Sequence, residues 1–257
     1  MTIQHAPALL GDPVYGEPSP HQVSSTISLV IPTLNEERNI AAVLRRVPDL
    51  VDEIVIVDGR STDRTIETAL AVRPDARVVL EKVPGKGSAV RAGFAAATGD
   101  LVVMIDADCS MDPQEIETYV VRLAEGADVV KGSRFLPGGG TTDMTWLRRA
   151  GNRVLVGLVN VLYGSSFSEL CYGYMAFRRS RLEDLDLRSE GFEIETEIVV
   201  RALKAGLRIE EVPSFEEERA FGESNLNTFR DGWRVLTKLL RERFTAAPAR
   251  VTVERLD

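Results

Sequence analysis

Short apolar runs alternate with amphipathic stretches along the first half of this chain. Residues 27–31, 53–57, 77–81 and 101–105 are brief and rich in Val, Ile and Leu, which predicts strands, the last of them apolar on both faces and buried. Between and after them, residues 36–46, 63–72, 87–97 and 113–124 carry apolar positions at helical spacing, and 128–131 predicts a fifth strand. Pro113 in a first turn and Gly126 past a helix end are consistent boundary signals. Regular alternation of strand and helix implies an α/β fold, a mainly parallel central sheet covered on both faces, with right-handed crossovers.

After Lys131 the rhythm changes. A glycine-rich loop (137–140) precedes a long helix over 146–162, a strand over 172–177, a helix over 192–205, a strand over 208–212, a polar segment over 214–227 and a last helix over 229–244. Residues 1–24 hold Pro7, Pro13, Pro18 and Pro20 without periodicity and read as a flexible tail. Residues 246–257 read as a second tail. No internal repeat is visible. The organisation expected is one domain over 25–245: 25–131 for one ligand, 132–228 for another, and 229–245 as an amphipathic helix.

Candidate chemistry sits where the strands end. Asp106-Ala107-Asp108 closes the apolar run at 101–105, and the carboxyl ends of such strands face the ligand crevice of open α/β sheets. Two carboxylates this close favour a hard divalent cation, Mg²⁺ or Mn²⁺, bridging to a diphosphate; a turn that uses Asp is the bland alternative. Pro32-Thr33-Leu34-Asn35-Glu36-Glu37 follows the first strand. There proline should stop the strand, Asn35 should cap a helix, and Glu36 should reach the crevice. Asp58 ends the second strand, placed to accept from a base or ribose, and Ser61, Thr62 or Asp63 should cap the next helix. Pro84-Gly85-Lys86-Gly87-Ser88, with Arg91 beyond, opens a helix whose glycines allow close approach and whose Lys86 and Arg91 bring positive charge near a diphosphate. Its spacing is not that of a P-loop.

Bulk properties narrow the classes. A net charge of −8 argues against nucleic acid as a partner. Cys109 and Cys171 make neither a disulfide scaffold nor a zinc pattern, which suits a reducing cytosol. Nothing at the N-terminus reads as a signal peptide, and the apolar stretch over 154–163 is too short to span a bilayer. A cytoplasmic protein is expected, with peripheral contact at the cytoplasmic membrane face as the variant.

Taken in order, the stretches IPTLNEE, VDGRSTDRT, GKGSAVRAGFAAATGD, DAD, KGSRF and GFEIETE resemble the family 2 glycosyltransferases, from about Ile27 to Leu240. GSRFLPGGG, WLRRAGNR and FGESNLNTF look most like the dolichol-phosphate or polyprenyl-phosphate mannosyltransferase and glucosyltransferase branch. The resemblance implies a GT-A (Rossmann-like) α/β/α sandwich. It implies that Pro32, Leu34, Glu36 and Asp58 hold the nucleoside. Lys86 and Gly87 would lie near the donor, while Asp106, Ala107 and Asp108 would meet metal and diphosphate. Arg134 would contact a phosphate, and Arg149 and Arg153 would extend an acceptor-phosphate site. Glu197 matches a family acid at the acceptor side and Glu195 competes with it; residues two apart on a helix do not share a face. Departures are Ser110, where the branch often has glutamine, the stretch from Glu169 to Tyr174, and the spacing between Gly140 and Trp146.

The function so implied is metal-dependent, inverting transfer of a hexose from a GDP-mannose- or UDP-glucose-type donor to a polyprenyl phosphate. A lipid phosphate is already an anionic nucleophile, whereas a soluble hydroxyl acceptor would need a base, for which Glu195, Glu197 and Glu169 are the candidates. Nucleotidyl transfer and non-catalytic nucleotide-sugar binding are the other classes; the first usually needs a glycine-rich loop where IPTLNEE stands. The last helix places Phe229, Trp233, Leu236, Leu240 and Phe244 at helical spacing among five basic residues. Either that stripe docks on the sheet, or it meets anionic lipid.

Overall fold

A computed structural model describes residues 25–222 and 228–245. Both expected tails, and the Glu223–Asn227 part of FGESNLNTF, lie outside the described residues. Seven strands form one sheet: β1 (Ile27–Thr33), β2 (Glu53–Asp58), β3 (Arg77–Leu80), β4 (Leu101–Met104), β5 (Val129–Ser133), β7 (Met175–Arg178) and β8 (Ile209–Pro213). Their order is β3-β2-β1-β4-β7-β5-β8, parallel throughout except that β7 runs against both β4 and β5. Short β6 (Gly140–Thr141) and β9 (Phe215–Glu216) pair separately.

Strand side chains alternate between the faces. Leu29 and Ile31 of β1, Ile54 and Ile56 of β2, and Leu101 and Val103 of β4 enter one core with α1 (Ile40–Arg46), α2 (Thr65–Val72) and α4 (Ile116–Ala124). Val30, Val55, Val57, Val102 and Met104 enter the other with α3 (Lys86–Ala96), α5 (Trp146–Tyr163), α7 (Ile194–Lys204) and α8 (Thr228–Phe244). A short α6 (Arg179–Leu182) follows β7. The result is the α/β/α sandwich with a mainly parallel sheet.

Several local expectations are corrected. Pro32 does not stop β1: its nitrogen faces the β4 side, where pairing ends at Val30↔Met104, so no ladder bond is lost. Helix α1 begins at Ile40, and Asn35 caps nothing; with φ of 58°, its Oδ1 accepts from the Thr62 amide at 2.8 Å and ties two strand-end loops together. Gly140, expected in a loop, and Phe215–Glu216, within the expected polar segment, are paired as strands.

β7 matters most for the site. Because it enters the sheet from the carboxyl ends of β4 and β5, the segment from Glu169 to Tyr174 is carried across the floor of the crevice.

Candidate active site

Two lobes, of about 220 and 390 Å³, meet over the carboxyl ends of the parallel strands. Lys86, Asp106, Asp108, Phe192 and Arg219 line both. The larger lobe runs to Pro32, Leu34 and Glu36; the smaller runs between α5 and α8, past Arg148, Asn152 and Gly232, to Arg134 and Tyr172.

Lys86 is the hub. Its Nζ lies 2.7 Å from Asp106 Oδ1 and 2.8 Å from Glu195 Oε1. Burial works against its charge, but the Asp106 and Glu195 carboxylates outweigh this and hold its pKa well above the ordinary lysine value. Gly173, just before β7, lies against this bridge: a Cβ there would stand 2.9 Å from Lys86 Nζ and 3.0 Å from Glu195 Oε1. Asp108 is tied differently. Its Oδ1 accepts from the Ser110 amide at 3.0 Å, and its Oδ2 meets Arg219 Nη2 at 2.6 Å.

In the larger lobe, Leu34 is exposed and Ala107 adds backbone between the two acids. Glu36 accepts from Asn39 Nδ2 at 2.6 Å; burial, the largest influence, raises its pKa. Asp58 is buried beside this lobe's Gly59. Its Oδ2 accepts from the Arg60 and Ser61 amides at 3.1 and 3.0 Å. Among the described residues nothing reaches its Oδ1, a buried acceptor held ready for a donor.

Asp106 and Asp108 suit a hard divalent ion. They offer carboxylate oxygens at one strand end, each now facing a cation (Lys86 or Arg219) in the position of a compensating charge. Magnesium and manganese accept a few protein oxygens and complete their shell with phosphate and water.

Other expected site residues sit elsewhere. Gly87 gives close approach not to a ligand but to the loop at 189–191: its amide donates to Glu190 O at 2.8 Å, and a Cβ would lie 2.4 Å from Ser189 O. Arg91 is exposed and donates to Arg188 O at 2.9 Å, bracing the same loop. Glu197 points away from the cleft. It is fully buried, accepts from the Arg188 and Ser189 amides at 3.0 and 2.7 Å, and pairs with Lys238 at 2.5 Å and Arg201 at 3.2 Å. Glu195 alone of that pair reaches the cleft, as helical phase demands.

Arg134 does line the smaller lobe, but its guanidinium is committed. It donates to Glu169 at 2.8 Å, Glu216 at 2.8 Å and the Cys171 carbonyl at 2.9 Å, and lies 4.8 Å over the Tyr172 ring. Glu169, a candidate base, is thereby a fully buried counter-ion. Arg149 and Arg153 are exposed on α5 outside the cleft, Arg149 lying 5.6 Å over the Phe135 ring. One helical step moves the basic position on the cleft wall to Arg148, in line with Asn152 and Leu155. Arg148 and Arg219 were missed from sequence. A helical wheel anchored on Asn152 and Leu155 would have found the first; no local signal marks the second, which lies in a polar segment.

A cleft at the carboxyl ends of a parallel sheet, floored by paired acids and a lysine, is the place where α/β enzymes bind their ligands. The glycosyl transferase family 2 model matches residues 28–186, and the chain belongs to that family; it is a glycosyltransferase with the GT-A fold. It is similar to glycosyltransferase AglJ of Haloferax volcanii, 35% identical over 231 residues that cover 86% of this chain and 73% of AglJ. It is also similar to polyprenol monophosphomannose synthase of Mycolicibacterium smegmatis, 32% identical over 213 residues covering 77% of this chain and 80% of that one. Among solved structures, glucosyl-3-phosphoglycerate synthase of Mycobacterium tuberculosis, in complex with Mn²⁺, uridine diphosphate and phosphoglyceric acid, superposes with a TM-score of 0.70 at 27% identity. That match covers 86% of this chain and 79% of the other. Among the described residues, no helix is long and apolar enough to cross a membrane.

Proposed function

We propose that this enzyme transfers a hexose, with inversion, from a GDP-mannose- or UDP-glucose-type donor to a polyprenyl phosphate. The observation that carries the reading is that, among the described residues, each carboxylate lining the smaller lobe faces a cation. Asp106 and Glu195 share Lys86, Asp108 meets Arg219, Glu216 meets Arg134, Asp143 meets Arg148, and Asp231 meets Arg230. A carboxylate so paired is a poor general base. An acceptor that arrives as a phosphate anion needs none; Arg148, on the lobe wall in a long pair of 3.6 Å with Asp143, is the group placed to turn toward it.

Asp106 and Asp108 are the residues that would hold Mg²⁺ or Mn²⁺; when bound, such an ion offsets charge on the departing nucleoside diphosphate. Lys86, fixed from two sides, presents a permanent positive charge at the same floor. Pro32, Leu34, Glu36 and Asp58 receive the nucleoside. Ala107 supplies backbone beneath the diphosphate.

A second reading, a small soluble phosphorylated acceptor, is favoured by the likeness to the phosphoglyceric-acid-bound neighbour. Donor calorimetry with and without Mn²⁺, followed by transfer assays with a short polyprenyl phosphate and with 3-phosphoglycerate, separates them. Metal-dependent donor binding and transfer to the lipid alone is expected; transfer only to the soluble acceptor would replace the first reading with the second. Asp108→Asn should abolish the metal dependence and lower turnover about a thousandfold; near-normal turnover would remove the metal from the reading.

A further inference from the structure

α8 docks on the body by an unexpected face. Val235, Leu239 and Asp231 are buried, and Glu242, also buried, joins an ion-pair cluster with Arg201 at 2.9 Å, Lys238 at 3.1 Å and Lys204 at 3.3 Å. Tyr163 of α5 donates to Leu239 O at 3.0 Å. The opposite side of α8 carries its large apolar residues outward: Phe229 is 78% exposed, Trp233 67% and Phe244 88%, with Leu240 between them. Its neighbour α5 does the same with Val154, Val161 and Trp146, the last 80% exposed. Isolated exposed apolar residues are ordinary. Two packed helices that both turn such residues outward mark an interaction surface.

Charge identifies the partner. α5 and α8 together hold eight basic residues and two acidic ones, in a chain whose net charge is −8. Arg149 and Arg153 of α5, and Arg241 and Arg243 of α8, are exposed. Outward aromatics flanked by arginines match a bilayer interface with anionic headgroups. We propose that the outer faces of α5 and α8 seat on an anionic phospholipid bilayer, with Phe229, Trp233, Phe244 and Trp146 entering the interface and the exposed arginines meeting headgroups. The smaller lobe is walled by these same helices, through Asn152 and Leu155 of α5 and Gly232 and Val235 of α8, so seating brings its wall to the membrane. This deepens the lipid-phosphate reading by supplying the surface from which such an acceptor would enter.

The test exploits the tryptophans: the chain has two, Trp146 and Trp233, and both lie on this surface. The full-length protein is mixed with phosphatidylcholine vesicles containing about one third phosphatidylglycerol and no polyprenyl phosphate. Expected are a blue shift of tryptophan emission and co-sedimentation, weakened by salt, reduced about tenfold or more in the Phe229→Ser/Phe244→Ser variant, and small with phosphatidylcholine alone. Trp146→Phe and Trp233→Phe should each remove part of the shift. Absence of shift and sedimentation, or equal binding to neutral vesicles, overturns the proposal. So does a shift that grows with protein concentration without lipid and tracks a dimer in ultracentrifugation. The vesicles hold no acceptor, so a failure here leaves transfer in detergent micelles standing as a separate result, and a failure of transfer leaves membrane seating standing.

Discussion

Replacing Arg134 with methionine keeps most of the side-chain stem and removes the guanidinium. Three hydrogen bonds go with it, at 2.8 Å to Glu169, 2.8 Å to Glu216 and 2.9 Å to the Cys171 carbonyl. Glu216 keeps Thr141 Oγ1 at 2.7 Å and is partly open to water. Glu169 is fully buried and loses its ion-pair partner. Breaking a buried pair by removing one partner costs about 3–5 kcal/mol, and here Lys131 and the Leu170 amide remain beside Glu169. For a domain of this size each kcal/mol lowers the melting temperature by roughly 2–4 °C, so Arg134→Met should melt about 10 °C lower by far-ultraviolet circular dichroism. Adding Glu169→Gln removes the stranded charge and should restore at least half of the loss. A single variant that melts within about 2 °C of the parent, yet shows a raised KM for acceptor, would refute the clamp and make the guanidinium a ligand-binding group instead.

A Cβ at Gly151, on the α5 wall of the smaller lobe, meets nothing within 4 Å. Gly151→Leu should therefore fold normally, with stability unchanged or raised by about 0.5 kcal/mol, while raising acceptor KM without altering donor affinity by calorimetry; an unchanged KM would place the acceptor elsewhere. Glu242 is held at a pKa of about 2: burial opposes its charge, but bonds from Arg201, Lys238 and Thr245 outweigh that. Glu197 is lowered too, burial again opposed, by Lys238 and the loop amides. Because both folded values lie below the unfolded ones, this stabilisation is complete above about pH 4.5 and lost as pH falls toward 2. Melting temperatures should drop steeply in that window, and Glu242→Gln should flatten the drop; an unaltered slope would show that α8 docking does not depend on the cluster.

Much of the architecture was legible because its signals are local. Apolar runs at 27–31, 53–57 and 101–105 mark strands buried on both faces, and each was found within a few residues of its observed bounds. The acids at strand ends could be picked out because a parallel sheet always turns its carboxyl ends to the same side. Harder were positions whose meaning depends on phase or partner. Arg148, Arg149 and Arg153 are alike in sequence, yet only the packing of Val156 and Val159 decides which faces the cleft. Glu195 and Glu197 are separated by the same logic: one side of α7 reaches Lys86, the other reaches Lys238.

The sequence by itself determined the element order, the mainly parallel sheet, and the gathering of Asp58, Lys86, Asp106 and Asp108 near one edge, since periodicity and strand-end chemistry are written in neighbouring residues. Tertiary structure alone decided that β7 runs antiparallel, that Gly173 and Arg219 join the floor, and that α8 turns its aromatic stripe outward. Those outcomes rest on contacts between residues far apart in the chain, such as Arg219 with Asp108 and Arg201 with Glu242. A hydrophobic period shows that a helix has an apolar side; it does not show whether protein or another phase will cover it.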